Sequence, residues 1–339
     1  MKILIDAFGG DNAPDEVVSG TVAAVKEKDG FTAVLVGKKE IIEEKLKAQD
    51  YPAGRIEILN ATEVITCEEE PTVGIRKKPD SSICVAFKTL REDEDAKAFV
   101  SAGSTGAVLV GATLKLGRIQ GVNRPALCPI LPTKVEGKSV LLTDSGANAD
   151  CKPINLCQFA VMAAVYAEAL GVKRPKVALL SNGTEDEKGN ALTHEVFPVL
   201  KNMKTIDFYG NTEGRDILSG EFDVVVTDGF SGNVALKSME GAIGVIFSEL
   251  KKSIYSSLKG KIAGLLLKKD FKKLKSKLDY NNKGGALFLG VKKTVIKAHG
   301  SSDARAIKNA VLQAAEYAAF DVADKISASL NEEEIGFNL

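Results

Sequence analysis

The chain has 339 residues, 45% of them hydrophobic and 27% charged, with 45 Lys and Arg against 45 Asp and Glu. That balance excludes a disordered chain and a wholly basic nucleic-acid binder, and the length allows one large core or two moderate ones. Neither an internal repeat nor a long Pro/Gly/Ser linker interrupts it, so residues 1–339 read as a single unit.

The opening MKILIDAFGG carries one lysine and an apolar run cut off by Asp6, short of the roughly 7–15 apolar residues of a secretory signal. Nor does any segment reach the ~20 apolar residues that span a bilayer. Five cysteines (Cys67, Cys84, Cys128, Cys151 and Cys157) form an odd set without CxxC spacing, which indicates neither a disulfide frame nor a zinc site. The expected location is the cytoplasm. With only His194 and His299 as partner bases, buried and inert thiols are expected.

In chain order, the runs KILID, TAVLV, RIEIL, KAFVS, SVLLT, KVALL, TIDFY, DVVVT and KTVIKA are each followed by turn residues and usually by helical periodicity. This pattern predicts an α/β fold: three layers, α/β/α, around a mostly parallel, doubly wound sheet. Several runs are apolar without alternation, as strands covered by helices on both faces are.

Six strand ends share one composition: IDAFGGDNA (Ile5–Ala13), SAGSTGA (Ser101–Ala107), TDSGANAD (Thr143–Asp150), SNGTEDEKGN (Ser181–Asn190), TDGFSGN (Thr227–Asn233) and KAHGSSDAR (Lys297–Arg305). One such loop is what any helix cap looks like. Six, expected along one carboxyl edge of a parallel sheet, point to a shared crevice for phosphate: glycines admit backbone N–H groups, and Ser, Thr and Asn add donors. The candidate contacts are Asp6, Gly9, Gly10 and Asp11 on the first loop, and Ser104 and Thr105 on the second. The later loops add Asn148, then Thr184, Glu185 and Asn190, then Asp228 and Asn233, and finally Ser301 and Ser302. Lys188 is the charged anchor expected for the anion, and His299, beside Gly300 and two serines, the candidate proton handler. No GxGxxG opens a helix after the first strand and no GxxxxGK[ST] occurs, so neither NAD nor ATP is expected. Asp6, Asp144 and Asp228 come without a histidine cluster or DxDxD spacing, so no metal is expected either.

Around residues 240–280 the chain reads as a basic amphipathic helical hairpin within this unit. Lys251–Tyr280 holds ten lysines against Asp270 and Asp279. Leu258, Ile262, Leu265 and Leu266 recur at helical spacing, as do Leu267, Phe271, Leu274 and Leu278, with a turn expected near Ile262–Leu267. Two readings stand: a solvated helix packed on the core or on a second subunit, or attachment to an anionic membrane surface through Leu258, Ile262, Leu265, Leu266 and Leu267. Aromatic residues do not interleave the lysines, so nucleic acid is not an expected partner.

The opening IDAFGGDNAP, SAGSTGA, GRIQGVNRPAL, GANADCKP, GTEDEKGNxLT, VVVTDGFSGNVxLK, NNKGGALFLG and VIKAHGSSD, in this order, resemble the bacterial phosphate acyltransferase (PlsX) family. The likeness runs from the first residue to about Arg305. Phe8 stands where methionine is usual, and Ser104 where asparagine is usual. The resemblance implies an isopropylmalate-dehydrogenase-like fold and an enzyme without cofactor. It would convert acyl-(acyl-carrier protein) and orthophosphate to acyl phosphate and free carrier protein, feeding a membrane glycerol-3-phosphate acyltransferase. It also implies a homodimer, cytoplasmic and peripherally membrane-associated. Orthophosphate would itself attack the thioester, so no enzyme nucleophile is needed; Lys188 and Thr184 would position it, and Asn148 or backbone donors would steady the oxyanion. Rival readings are a dehydrogenase or a coenzyme A phosphotransacetylase of similar fold, or a non-enzymatic phosphate- or carrier-binding scaffold.

Overall fold

Eight of the nine apolar runs become a strand or most of one, and TIDFY supplies the first three residues of another, in a computed structural model that describes residues 1–278, 284–320 and 322–333. In chain order the described strands are β1 (Lys2–Asp6), β2 (Thr32–Gly37), β3 (Ile56–Asn60), β4 (Ala96–Ser101), β5 (Ala126–Cys128) and β6 (Ile130–Pro132). There follow β7 (Ser139–Thr143), β8 (Lys176–Ser181), β9 (Asp207–Glu213), β10 (Val224–Val226), β11 (Ala286–Leu289) and β12 (Thr294–Lys297). They form two sheets, ordered β3-β2-β1-β4-β12-β11-β5 and β6-β7-β10-β8-β9. The three strands without a matching run, β5, β6 and β11, make all the antiparallel pairings of the two sheets. Two of them are three residues long and Pro129 separates them, so neither offers the 4–8 residue run by which strands are recognised.

These short strands decide where the loops go. β5 and β12 both pair antiparallel with β11 and therefore run the same way. β7 pairs antiparallel with β6, and its continuation reaches β5, where Ser145 N–H donates to Leu127 O at 2.9 Å. The chain through Ala126–Pro132 is thus one crossover shared by both sheets, and the parallel strands of the second sheet run opposite to those of the first. Leu287 sits opposite both Cys128 and Ile296, placing the carboxyl end of β12 level with the end of β5. Ile130 sits opposite Leu141, so the end of β7 reaches the same level. The expectation of six loops on one edge is therefore corrected to two edges facing each other. The loops after β1, β4 and β12 lie on one side; those after β7, β8 and β10 lie on the other.

Helices cover both faces. The Pro153–Ala169 helix has no polar stripe, and every residue from Ile154 to Ala167 is buried. Apolar all round, it must be enclosed, and it packs on β7, β8 and β10 of one sheet and β11 of the other. The largest apolar cluster accordingly joins Ile3, Ile5 and Val100 of the first sheet to Leu141, Val177 and Val224 of the second.

The basic region consists of a long helix followed by two shorter ones. A 27-residue helix, Gly229–Tyr255, is followed by helices Leu258–Leu266 and Lys268–Leu278. The last two helices part at Leu267, within the Ile262–Leu267 stretch where a turn is expected, and a further break at Ser256–Ser257 separates them from the long helix. Ser257 Oγ caps the second helix by accepting the Gly260 N–H at 3.0 Å, and Gly264 lets that helix lie against the first, since a Cβ there would stand 2.8 Å from Ile254 Cγ2. Asp279 and Tyr280, with Asn281–Lys283 of the NNKGGALFLG motif, lie outside the described residues.

Candidate active site

On the first edge the loops are knitted through Asp6. Its Oδ2 accepts Ser101 Oγ–H at 2.7 Å and its Oδ1 accepts Phe8 N–H at 3.2 Å, while burial pushes its carboxyl above the usual value against these bonds. Ser101 Oγ in turn accepts the Gly103 N–H at 3.0 Å. Gly9 is required here: a Cβ would lie 2.5 Å from Asp6 Oδ2 and 2.7 Å from Gly103 N. Asp11 N–H donates to Gly300 O at 2.8 Å, and Gly10, at φ +102, has its open side against Gly300 O. Asn12 Nδ2 donates to the carbonyls of Ser301 and Ser302, and Ser302 Oγ is buried without a hydrogen-bond partner among the described residues. Ser104 caps the short Thr105–Gly111 helix through the Ala107 N–H at 3.4 Å.

At the end of β12 stands Lys297, which the loop composition alone did not single out. It is 8% exposed, and its Nζ donates to Ala102 O at 3.3 Å and to Ala298 O. Burial lowers its pKa to about 8, opposed by the nearby Cys67, Asp6 and Asp11. A lysine closing a strand covered on both faces is itself the signal that could have found it. Two residues on, His299 Nδ1 receives the Ser301 N–H at 3.3 Å and lies 2.9 Å from Ser301 Oγ. The neutral ring therefore carries its proton on Nε2. Burial, and after it the Lys237 ammonium, hold the imidazole below its usual pKa.

The second edge is organised by Asp144. Fully buried, its Oδ1 accepts Leu127 N–H at 2.9 Å, Gly146 N–H at 3.2 Å and Ala147 N–H at 3.0 Å. Its Oδ2 accepts the Asn148 N–H at 2.7 Å and Asn148 Nδ2 at 2.8 Å. Asn148 Nδ2 also donates to Pro125 O at 2.7 Å. Both amide hydrogens of Asn148 are thus engaged, and the expected role as a donor to an oxyanion is corrected: Asn148 fastens the loop to the crossover. Asp228 caps the Gly229–Tyr255 helix through the Ser231 N–H at 2.8 Å, and exposed Asn233 lies against Gly146. Asn190 caps the Ala191–Asn202 helix in a reciprocal pair with Thr193. Thr184, Glu185 and Lys188 are exposed, on a loop tied to β9 by Asn211 Nδ2, 2.7 Å from Glu185 O. The Lys188 stem covers Gly183. Asn211, which ties this loop, lies on β9, two strands farther from the crossover than β10.

Cys84, Cys128 and Cys157 are buried, while Cys67 is exposed and Cys151 intermediate, which corrects the expectation of uniformly buried thiols. Burial raises Cys151 to about 11 and Cys157 to about 12, so neither is a nucleophile at neutral pH. Among the described residues no three His, Cys, Asp or Glu gather as a metal site. Among the described residues no helix is long and apolar enough to cross a membrane.

Solved structures share this architecture. A phosphotransacetylase from Streptococcus pyogenes superposes with a TM-score of 0.62 at 19% identity, over 94% of each chain. A putative 4-hydroxythreonine-4-phosphate dehydrogenase from Salmonella typhimurium gives 0.54 at 12% identity, over 93% of this chain and 98% of that one. Fold and facing loops thus define an α/β/α protein of the class that includes these enzymes. Closer relatives narrow the class. Phosphate acyltransferases from Clostridium novyi (strain NT) and Brevibacillus brevis are each 47% identical to this chain. The first match spans 99% of this chain and 100% of the relative, the second 99% of each. The family described as fatty acid synthesis protein matches residues 1–325. The chain belongs to this family of phosphate acyltransferases, and is an acyltransferase enzyme.

Proposed function

We propose that the enzyme moves an acyl group from acyl-(acyl-carrier protein) to orthophosphate, releasing acyl phosphate and free carrier protein, and that the product feeds a membrane glycerol-3-phosphate acyltransferase. The observation that carries this reading is the pair of facing loop edges, glycine-lined and furnished with Lys297 and His299, in a chain whose relatives are named phosphate acyltransferase. A phosphate oxygen attacks the thioester carbonyl, the C–S bond breaks from the tetrahedral adduct, and the electron pair leaves on the carrier's thiolate. With a pKa near ~8.5 that thiolate needs little protonation. Lys188, Lys297 and backbone N–H groups hold the anion. The His299 Nε2–H steadies the oxyanion as a hydrogen-bond donor, which sharpens the proton-handling role expected of it.

Incubation with acyl-carrier substrate and labelled phosphate, read as the hydroxamate of acyl phosphate, tests the reaction. The second reading, a coenzyme A phosphotransacetylase, draws on the shared fold; acyl-coenzyme A outcompeting acyl-carrier protein would favour it. In the same assay Lys188→Ala is expected to raise the phosphate KM, and His299→Ala to lower kcat by ~10²–10³ at unchanged phosphate KM. A Lys188→Ala enzyme with normal phosphate KM, or a His299→Ala enzyme with normal kcat, removes that residue from the mechanism.

Cytoplasmic, peripheral attachment to an anionic membrane is supported by the hairpin. Leu258, Leu265 and Leu266 are 77%, 71% and 77% exposed, with Ile262 and Leu267 also exposed, among lysines. Each lysine near an anionic surface adds ~1 kcal/mol. Flotation with anionic vesicles is expected at low salt and to weaken at high salt; absence of binding at low salt refutes attachment. A homodimer is supported by a second apolar stripe on the Gly229–Tyr255 helix, where Phe230, Val234 and Val245 are exposed. Sedimentation as a monomer at micromolar concentration would remove it.

A further inference from the structure

We infer that the groove between the Gly229–Tyr255 helix and the hairpin holds the acyl chain of the substrate, an inference resting on the acyl-transfer reading above. The groove encloses ≈ 790 Å³, within the ~300–1,000 Å³ of small-molecule sites. Its wall is built by Leu236, Met239, Ile243, Phe247, Leu250 and Ile254, which recur at three- and four-residue intervals and so share one helix face. Phe271 of the last hairpin helix also lines it. This face is distinct from the stripe of Phe230, Val234 and Val245, which lies about half a turn round the same helix.

What identifies the occupant is where the groove leads. His299 and Ser301 line it, so an apolar channel opens on the loop whose Nε2–H serves the thioester carbonyl. A carbonyl placed at His299 leaves its chain only this apolar wall to follow. Glu240 and Lys237, paired at 2.8 Å, sit on the helix at the same polar end, and His299 feels both charges. Lys251, Lys268 and Lys272 also border the groove, within the basic hairpin. The groove thus has a reactive polar end and an apolar body, as a fatty acyl group does.

Acyl phosphates of six to twelve carbons, used as product inhibitors in the hydroxamate assay, test this. In the wild-type enzyme the inhibition constant is expected to fall about two- to fourfold for each added methylene. Gly244 also lines the groove, and a Cβ there meets nothing within 4 Å. Gly244→Phe therefore fills open space without disturbing packing, and exchanges glycine for a better helix former. It is expected to leave hexanoyl phosphate inhibition unchanged and to abolish the gain from longer chains; the unchanged short-chain value also shows that the variant is folded. An active wild-type enzyme whose inhibition is flat with chain length overturns the inference. So does a Gly244→Phe enzyme that keeps the wild-type chain-length profile but loses its oligomeric state, for then the groove seats a partner's helix. If the wild-type enzyme forms no acyl phosphate at all, the acyl-transfer reading falls first and the groove's assignment with it.

Discussion

An Asp144→Ala chain is expected to unfold in urea with a stability lower by about 3–5 kcal/mol, among the largest effects of a single side chain. Four backbone N–H groups and one side-chain amide converge on this carboxylate. Removing it leaves donors with no acceptor in a site from which water is excluded, and hydrogen bonds to a charged partner are the strong ones. The loss also reaches three segments together. Leu127 belongs to the crossover, Gly146–Asn148 to the loop after β7, and Gly229 leans on the same place, its N–H donating to Asn148 O at 2.9 Å. Asp144→Asn keeps the shape and one acceptor oxygen but turns an NH₂ toward existing donors, so its cost should lie between wild type and alanine. Equal urea midpoints for wild type and Asp144→Ala would show that the network is not what fastens the second edge. The backbone leaves no slack for alternatives: at Gly232 a Cβ would stand 2.0 Å from Asp144 O.

The same region marks the boundary of what the amino-acid order could reveal. The inner strands were legible because a strand buried on both faces needs continuous apolar side chains, and that need is written locally; the edge strands β3 and β9, with few or no buried residues, carry the pattern more weakly. The direction reversal between the sheets is not written locally. It depends on NRPALCPILPTK, where prolines at 125, 129 and 132 break a long crossover into two three-residue pieces. Loop composition was legible, whereas its distribution over two facing edges required the pairing of β5, β6 and β11. Asn148 shows the limit for single residues. A Gly-Ala-Asn loop announces donors, but only the fold reveals that these donors are spent on Pro125 O and Asp144. The hairpin's apolar and basic character and its break at Leu267 were equally plain, whereas the packing of the Leu258–Leu266 helix on the helix before it rests on one serine cap and on the close approach at Gly264.

Replacing Lys297 by Met is expected to raise the phosphate KM roughly 10- to 100-fold, the worth of a charged hydrogen bond of ~1.5–3 kcal/mol, with the hydroxamate assay as the measure. Its pH signature separates this role from simple packing. Burial holds the ammonium at a pKa of about 8 against an ordinary 10.5, so the folded chain gives up this proton before the unfolded chain does. Between about pH 8 and 10.5 the unfolded chain therefore binds more protons, and stability must rise with pH through this window, by at most about 3 kcal/mol. Binding must move the other way. Orthophosphate is already a dianion above pH 8, so the loss of the ammonium removes attraction without altering the ligand's charge, and the wild-type phosphate KM should climb as the folded chain gains stability. Lys297→Met should show neither slope. The opposed slopes follow from one buried amine that costs stability while charged and binds the anion only while charged. A wild-type phosphate KM that stays flat from pH 7.5 to 9.5 would place Lys297 outside the anion site. Lys297 would then only join the β4 and β12 loops through Ala102 O and Ala298 O.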